Sequence, residues 1–158
     1  MTDFILASSH ACIGCRTCEV ACALEHVAEG REFHPRLKVM RLDTLSVPVM
    51  CRQCENAPCV GVCPTGALTM GSKRVEADAS RCIGCQSCAV ACPFGAITIE
   101  TSALHPPVIV KCDLCKERDG GPACASVCPT TALSLMTGEA LAALQKQRRS
   151  ASASFLSL

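Results

Sequence analysis

Sixteen cysteines in a chain of 158 residues fall into four groups of four, and their spacing leaves little freedom in what the chain can become. Group one is Cys12, Cys15, Cys18 and Cys22; group two is Cys51, Cys54, Cys59 and Cys63. Group three is Cys82, Cys85, Cys88 and Cys92; group four is Cys112, Cys115, Cys124 and Cys128. Every group opens with C-x2-C and closes with C-x3-C. The wider middle gaps of groups two and four carry Pro58 and Gly120-Gly121-Pro122, as inserted loops would. Groups one and three are near copies, Cys-Ile-Gly-Cys-Arg-Thr-Cys-Glu-Val-Ala-Cys against Cys-Ile-Gly-Cys-Gln-Ser-Cys-Ala-Val-Ala-Cys. A second repeat, Cys-Pro and two further turn residues leading into Ala-Leu or Ala-Ile, follows Cys63, Cys92 and Cys128.

Cysteine at this density marks either a disulfide scaffold or a metal protein. The first seven residues have neither a basic region nor an apolar run long enough for export, so the chain is expected in the cytoplasm. There disulfides are rare and clustered cysteines bind metal. Zinc ribbons also use paired C-x2-C, but tetrahedral zinc has no use for a third loop cysteine and a C-x3-C-P repeated in register. The run C-x2-C-x2-C-x3-C-P is instead that of bacterial ferredoxins, in which three loop cysteines reach three irons of one [4Fe–4S] cube. The loop must wrap backbone against inorganic sulfide, which accounts for Gly14 and Gly84. In two-cluster ferredoxins the fourth cysteine ligates the other cube. Four sets of four thus predict four [4Fe–4S] clusters. Spacing alone lets group three share a module with group two or with group four.

Composition agrees. Four Phe with no Tyr or Trp supply little of the aromatic area that usually fills a small core, and inorganic clusters would take that place. Sixteen thiolates and four 2+ cores turn the formal charge of +1 into about −7. With no basic patch interleaved with aromatics, nucleic acid is not an expected partner. No apolar stretch is long enough for a membrane span. No nucleophile–base arrangement, carboxylate pair or phosphate-cradling loop stands out, so the chain is expected to have no catalytic site of its own.

Alternating apolar residues predict short strands near Phe4–Ala7, Leu68–Met70, Arg74–Ala77, Ala96–Glu100, Val108–Val110 and Leu133–Met136. A short helix is expected at the third cysteine of each group, because Cys-x-x-x-Cys spans one helical turn. Residues 31–47 read as a β-rich link. Residues 139–158 read as a helical tail with Leu141 and Leu144 on one face, ending in Phe155-Leu156-Ser157-Leu158. This tail is a candidate docking arm for another subunit or a second copy. Arg16, Arg52, Arg81, Lys111 and Lys116 abut the cysteines and are candidates for raising cluster potentials. Phe94 is expected to shield a cluster from water. His10, His26, His34 and His105 are expected on the surface or in loops, since sixteen cysteines already complete four sets.

Residues 1–136 resemble the four-cluster electron-transfer subunits of molybdenum and tungsten oxidoreductases. These are the small subunits of formate hydrogenlyase and the β-subunits of formate dehydrogenases and dimethyl sulfoxide reductases. Similar subunits serve tungsten aldehyde oxidoreductases. The matching stretches are 12–22, Cys-Arg-Gln-Cys-Glu-Asn-Ala-Pro-Cys at 51–59, Val-Cys-Pro-Thr-Gly-Ala at 62–67, Lys-Cys-Asp-Leu-Cys at 111–115 and Gly-Pro-Ala-Cys at 121–124. The resemblance implies an α+β fold of two interleaved ferredoxin-like modules, residues 1–46 with 103–138 and residues 47–102. It implies ligand sets Cys12, Cys15, Cys18, Cys128 for cluster one and Cys22, Cys112, Cys115, Cys124 for cluster two. Cluster three would take Cys51, Cys54, Cys59, Cys92, and cluster four Cys63, Cys82, Cys85, Cys88. The implied role is relaying single electrons between a molybdenum/tungsten-pterin subunit and a hydrogenase or flavin subunit. Two other roles stand beside it: a free diffusible polyferredoxin, and an assembly or redox-sensing protein.

Overall fold

Two hydrophobic cores, each threaded with cysteines, organise the chain. The computed structural model describes residues 1–27, 34–101 and 105–155. The fold is α+β: among the described residues, eight short strands pair into four antiparallel ribbons, with four short α-helices and one 3-10 turn between strands and a fifth α-helix after the last. Strand β1 (Phe4–Ala7) pairs with β8 (Leu133–Met136), with Phe4 opposite Met136 and Ala7 opposite Leu133. Strands β2 (Leu37–Leu42) and β3 (Leu45–Met50) form a hairpin. Strand β4 (Leu68–Met70) pairs with β5 (Val75–Ala77), and β6 (Ile97–Glu100) with β7 (Val108–Lys111). The six expected strands are all present within a residue or so at their ends, and the β-rich link is the β2–β3 hairpin. Its expected residues 31–33 lie outside the described residues.

The helices begin where the cysteine spacing requires a turn. Helix α1 (Thr17–Glu25), α2 (Pro58–Gly61), α3 (Ser87–Ala91) and α4 (Ala123–Ser126) each open one residue before the third cysteine of a group. All but α1 are single turns, too short to persist without the tertiary contacts of their sulfurs. Helix α5 (Gly138–Phe155) is largely exposed, with Leu141 and Leu144 half-buried. The expected ending of the tail at residues 156–158 lies outside the described residues. Among the described residues, no helix is long and apolar enough to cross a membrane.

The first core gathers Ile5, Cys18, Cys22, Leu37, Val39, Met50, Leu114, Cys124 and Leu133. The second gathers Ala57, Cys59, Ala67, Leu68, Val75, Cys88, Ile97 and Ile109. The chain therefore passes from first core to second between Met50 and Cys54, and returns between Ile109 and Cys112. Strand β3 is held by its partner β2 in the first core, and β7 by its partner β6 in the second. Ladder pairing places those strands, and it left no mark in the cysteine spacing.

After the fourth cysteine of three groups the backbone turns through the left-handed region, at Gly66 (φ 60°), Gly95 (φ 58°) and Thr131 (φ 51°). The amide of each donates to the carbonyl of its cysteine three residues back, at 3.2–3.3 Å. Glycine takes this conformation freely, whereas a β-branched residue is strained there. Thr131→Gly is expected to stabilise the loaded protein by on the order of 0.5–1 kcal/mol, the strain relieved less the extra chain entropy of glycine. Anaerobic thermal unfolding of variant against wild type checks this.

Candidate metal centre

The residue just before the second cysteine is left-handed in all four groups: Gly14 (φ 71°), Gln53 (φ 50°), Gly84 (φ 74°) and Leu114 (φ 61°). Arg16 and Gln86, just after the second cysteine of groups one and three, are left-handed as well (φ 61° and 62°). Runs of this kind turn successive backbone N–H groups into a concavity, which favours negative charge inside it. A Cβ at position 14 would come within 2.6 Å of Ser46 Oγ, so that hydroxyl would have to turn aside, and the positive φ favours glycine there in any case.

Each loop then delivers its third and fourth cysteines one helical turn apart. The fourth thiols of groups three and four accept backbone N–H bonds, Cys92 from Ala96 at 3.5 Å and Cys128 from Ala132 at 3.2 Å. Threonine hydroxyls reinforce two of them, Thr65 beside Cys63 and Thr130 beside Cys128, each at 3.7 Å. Burial pushes the Cys63 thiol up, yet the amide of Leu68 and the Thr65 hydroxyl outweigh it and bring the thiol down to about 7. Cys128 is lowered in the same way, against its burial, by Thr130 and the neighbouring amides. Cys15 and Cys85 are lowered by the hydroxyls of Thr17, at 3.4 Å, and Ser87.

The interior sulfurs behave oppositely. Burial pushes Cys112 up to about 12, and burial with the nearby Cys112, Cys22 and Cys115 thiols does the same to Cys124. Burial likewise raises Cys18 to about 11, and raises Cys51, Cys59, Cys88 and Cys115. All sixteen cysteines are unpaired thiols. Bundles of buried thiols that resist ionising one another, beside inward-facing amides, form a donor set that becomes stable as thiolates only around strong cationic charge.

The structure brings the groups together across the sequence. One small pocket is lined by Cys12, Cys15, Cys18 and Cys128. Another is lined by Cys63, Cys82, Cys85 and Cys88. Cys22, Cys112 and Cys115 are charge neighbours of Cys124, and Cys92 and Cys54 are charge neighbours of Cys51. In the two pockets, four cysteines with no competing carboxylate or imidazole suit an iron–sulfur cube.

Several residues differ from expectation. Phe94 is 42% exposed, with the Arg52 guanidinium 5.8 Å from its ring centre, so its ring meets solvent and a cation instead of shielding a cluster. His26 is no surface residue. Its ring lies between the Cys22 carbonyl, at 2.7 Å, and the Asp113 carboxylate, at 3.0 Å, with the Cys22 thiol at 3.8 Å. Arg36 completes this network, pairing with Asp113 at 2.7 Å and donating its amide to Cys22 Sγ at 3.3 Å. Among the five candidate basic residues, Arg16, Arg81 and Lys116 are exposed and Arg52 is half-buried, whereas Lys111 is buried. Gln53 is fully buried and was not legible as functional. Its only signal is that it occupies the position Gly14 and Gly84 hold in their own groups.

Comparison with known proteins accords with this sulfur geometry. Residues 42–138 match the family described as the 4Fe-4S dicluster domain. The chain belongs to this dicluster family. Residues 9–25 match a second 4Fe-4S binding domain, so all sixteen cysteines lie inside iron–sulfur matches, and the cofactor of this dicluster protein is the [4Fe–4S] cluster. It is 40% identical to electron transport protein HydN of Escherichia coli K12, over 94% of this chain and 96% of HydN. It is 37% identical to formate hydrogenlyase subunit 2 of the same organism, over 94% of this chain and 89% of that subunit. It also matches the much longer E. coli protein AegA at 40% identity, spanning 24% of its length. The chain is an electron-transport iron–sulfur protein.

The His26–Asp113 pair gives a pH dependence. Burial, the largest single influence, pulls His26 down, but Asp113 and Cys22 together raise it to about 10 from 6.5. His26 and Arg36 hold the Asp113 carboxyl well below its usual range despite burial. A base raised on folding stabilises fully below its unfolded value and loses that contribution as pH climbs through its folded value. His26→Gln should therefore cost about 1–3 kcal/mol near pH 6, the scale of a charge-assisted hydrogen bond. The gap to wild type should close as pH approaches 10, measured by anaerobic thermal unfolding across that range.

Proposed function

We propose that this chain is a four-cluster relay. Its ligand sets would be Cys12, Cys15, Cys18, Cys128; Cys22, Cys112, Cys115, Cys124; Cys51, Cys54, Cys59, Cys92; and Cys63, Cys82, Cys85, Cys88. Each bound cube supplies one site that takes and gives a single electron. The two sulfur-lined cavities support the first and last sets, and mutual charge contacts support the middle two. The spatial order follows from neighbours that bridge sets. Cys18 acts on Cys124, and Cys51 acts on Cys112, so the second and third sets meet at the seam between the cores.

The single observation that carries a relay is the exposure of the thiols. Of sixteen, only Cys15 and Cys85 are exposed, and they belong to the first and last sets. Electrons can enter and leave at either end, while the inner sets are kept from solvent. The ends would face a molybdenum/tungsten-pterin catalytic subunit, of formate dehydrogenase or aldehyde oxidoreductase type, and a hydrogenase or flavin subunit. The likeness to formate hydrogenlyase subunit 2 supports this arrangement. Thiolate ligation suits a reducing compartment, and the cytoplasm is the proposed location. The exposed helix α5 is the proposed docking element, for a partner subunit or a second copy; removing residues 139–158 should abolish co-purification or reduce oligomer size.

Cys92→Ala separates this ligand assignment from one in which each group builds its own cube. Iron should fall from about sixteen to about twelve per chain. The lost electron paramagnetic resonance signal should be the one perturbed by Cys54→Ser, not the one perturbed by Cys85→Ser. Loss of the Cys85-linked signal would overturn the crossed sets, and wild-type protein holding zinc would overturn the relay.

A further inference from the structure

We infer that Lys111 sets the reduction potentials of the two inner clusters together, as one fixed charge buried on the seam between them. The inference rests on the ligand sets proposed above. It assigns to Lys111 a role in positioning charge, not in binding iron.

Lys111 is the last residue of β7, between Ile109 of the second core and Cys112, which packs against the first. It is 2% exposed, and it is the one charged residue that is buried among those described. Its Nζ donates to the Cys112 carbonyl at 2.8 Å. The same carbonyl accepts Gln53 Nε2 at 2.7 Å, and Gln53 Oε1 accepts the Val75 amide at 3.0 Å. Lys111 and Gln53, which follow Val110 of β7 and precede Cys54 of the third set, thus converge on the backbone of Cys112, and the ammonium is held where they meet.

An ammonium removed from water is costly unless anions surround it. No carboxylate pairs with Lys111 among the described residues. The anions within its reach are sulfurs of two different sets. Its Nζ lies on the Cys112 carbonyl, of the second set, beside the side-chain amide of Gln53, which stands between Cys51 and Cys54 of the third.

Adding an electron to either inner cube places negative charge beside this cation, in surroundings that screen weakly. Nearby positive charge raises a cluster's potential, whereas burial and a charged neighbour lower it. The inner pair suffers both lowering influences more than the outer pair does. Lys111 offsets them for both inner cubes at once and keeps the middle of the relay accessible to electrons from either end.

Redox titration of the full chain, prepared anaerobically and followed by electron paramagnetic resonance, tests this. In Lys111→Met two of four midpoints should fall and two should stay. The pair that falls should be the pair unaffected in Cys15→Ser and Cys85→Ser, and Lys111→Arg should restore the wild-type values. If no midpoint moves in Lys111→Met, or all four move alike, the inference fails. Should the Met variant lose clusters, retention of about eight irons identifies the inner pair as dependent on the charge and supports the inference. Complete loss of iron would mark Lys111 as a folding residue and overturn it. Wild-type protein with fewer than four reducible clusters would instead sink the ligand sets beneath it.

Discussion

Crowded sulfur is the constraint on which the rest of this molecule depends. Thiols such as Cys112 and Cys124, driven up to about 12 by burial and by neighbouring thiols, cannot all ionise without strong positive charge among them. Iron supplies that charge, so ordering the chain and binding the metal are one free-energy change. The single-turn helices, the left-handed residue ahead of each second cysteine and the amides aimed at the fourth thiols all follow from wrapping backbone around such charge. Apolar packing alone would be thin: Ile5, Met50, Leu68 and Val75 are among the few large side chains wholly removed from water.

Much of this was legible because cysteine spacing is a geometric statement. C-x3-C fixes one helical turn, and an alternating apolar run after a Pro turn fixes a strand, so α1, β4 and β8 stand where the sequence pattern puts them. The places where the cores exchange chain were not legible. They depend on which core the β2–β3 hairpin and the β6–β7 ribbon pack against, and an alternating apolar pattern does not say which core its buried face meets.

Polar residues were harder still. Gln53 occupies a position where two sister groups use glycine, so its own chemistry is masked by a conformational role. His26 and Asp113 lie far apart in sequence, and neither spacing nor composition links them; only the fold brings imidazole to carboxylate. Phe94 misled for a related reason. The turn after Cys92 aims its ring outward under Arg52, while burial of that sulfur region is left to Ala96 and Ile97.

The pairing of β1 with β8 has a consequence for biosynthesis. The first core is closed by the earliest and the latest strands of the compact body, so it cannot be completed until residue 136 has been synthesised. The second core draws its strands and sulfurs from residues 51–111 and is finished much earlier on the ribosome. Local contacts form first and long loops close last. Enzymes that deliver iron and sulfide to the newborn polypeptide therefore meet a ready receptacle in its middle while the flanking one still lacks a wall.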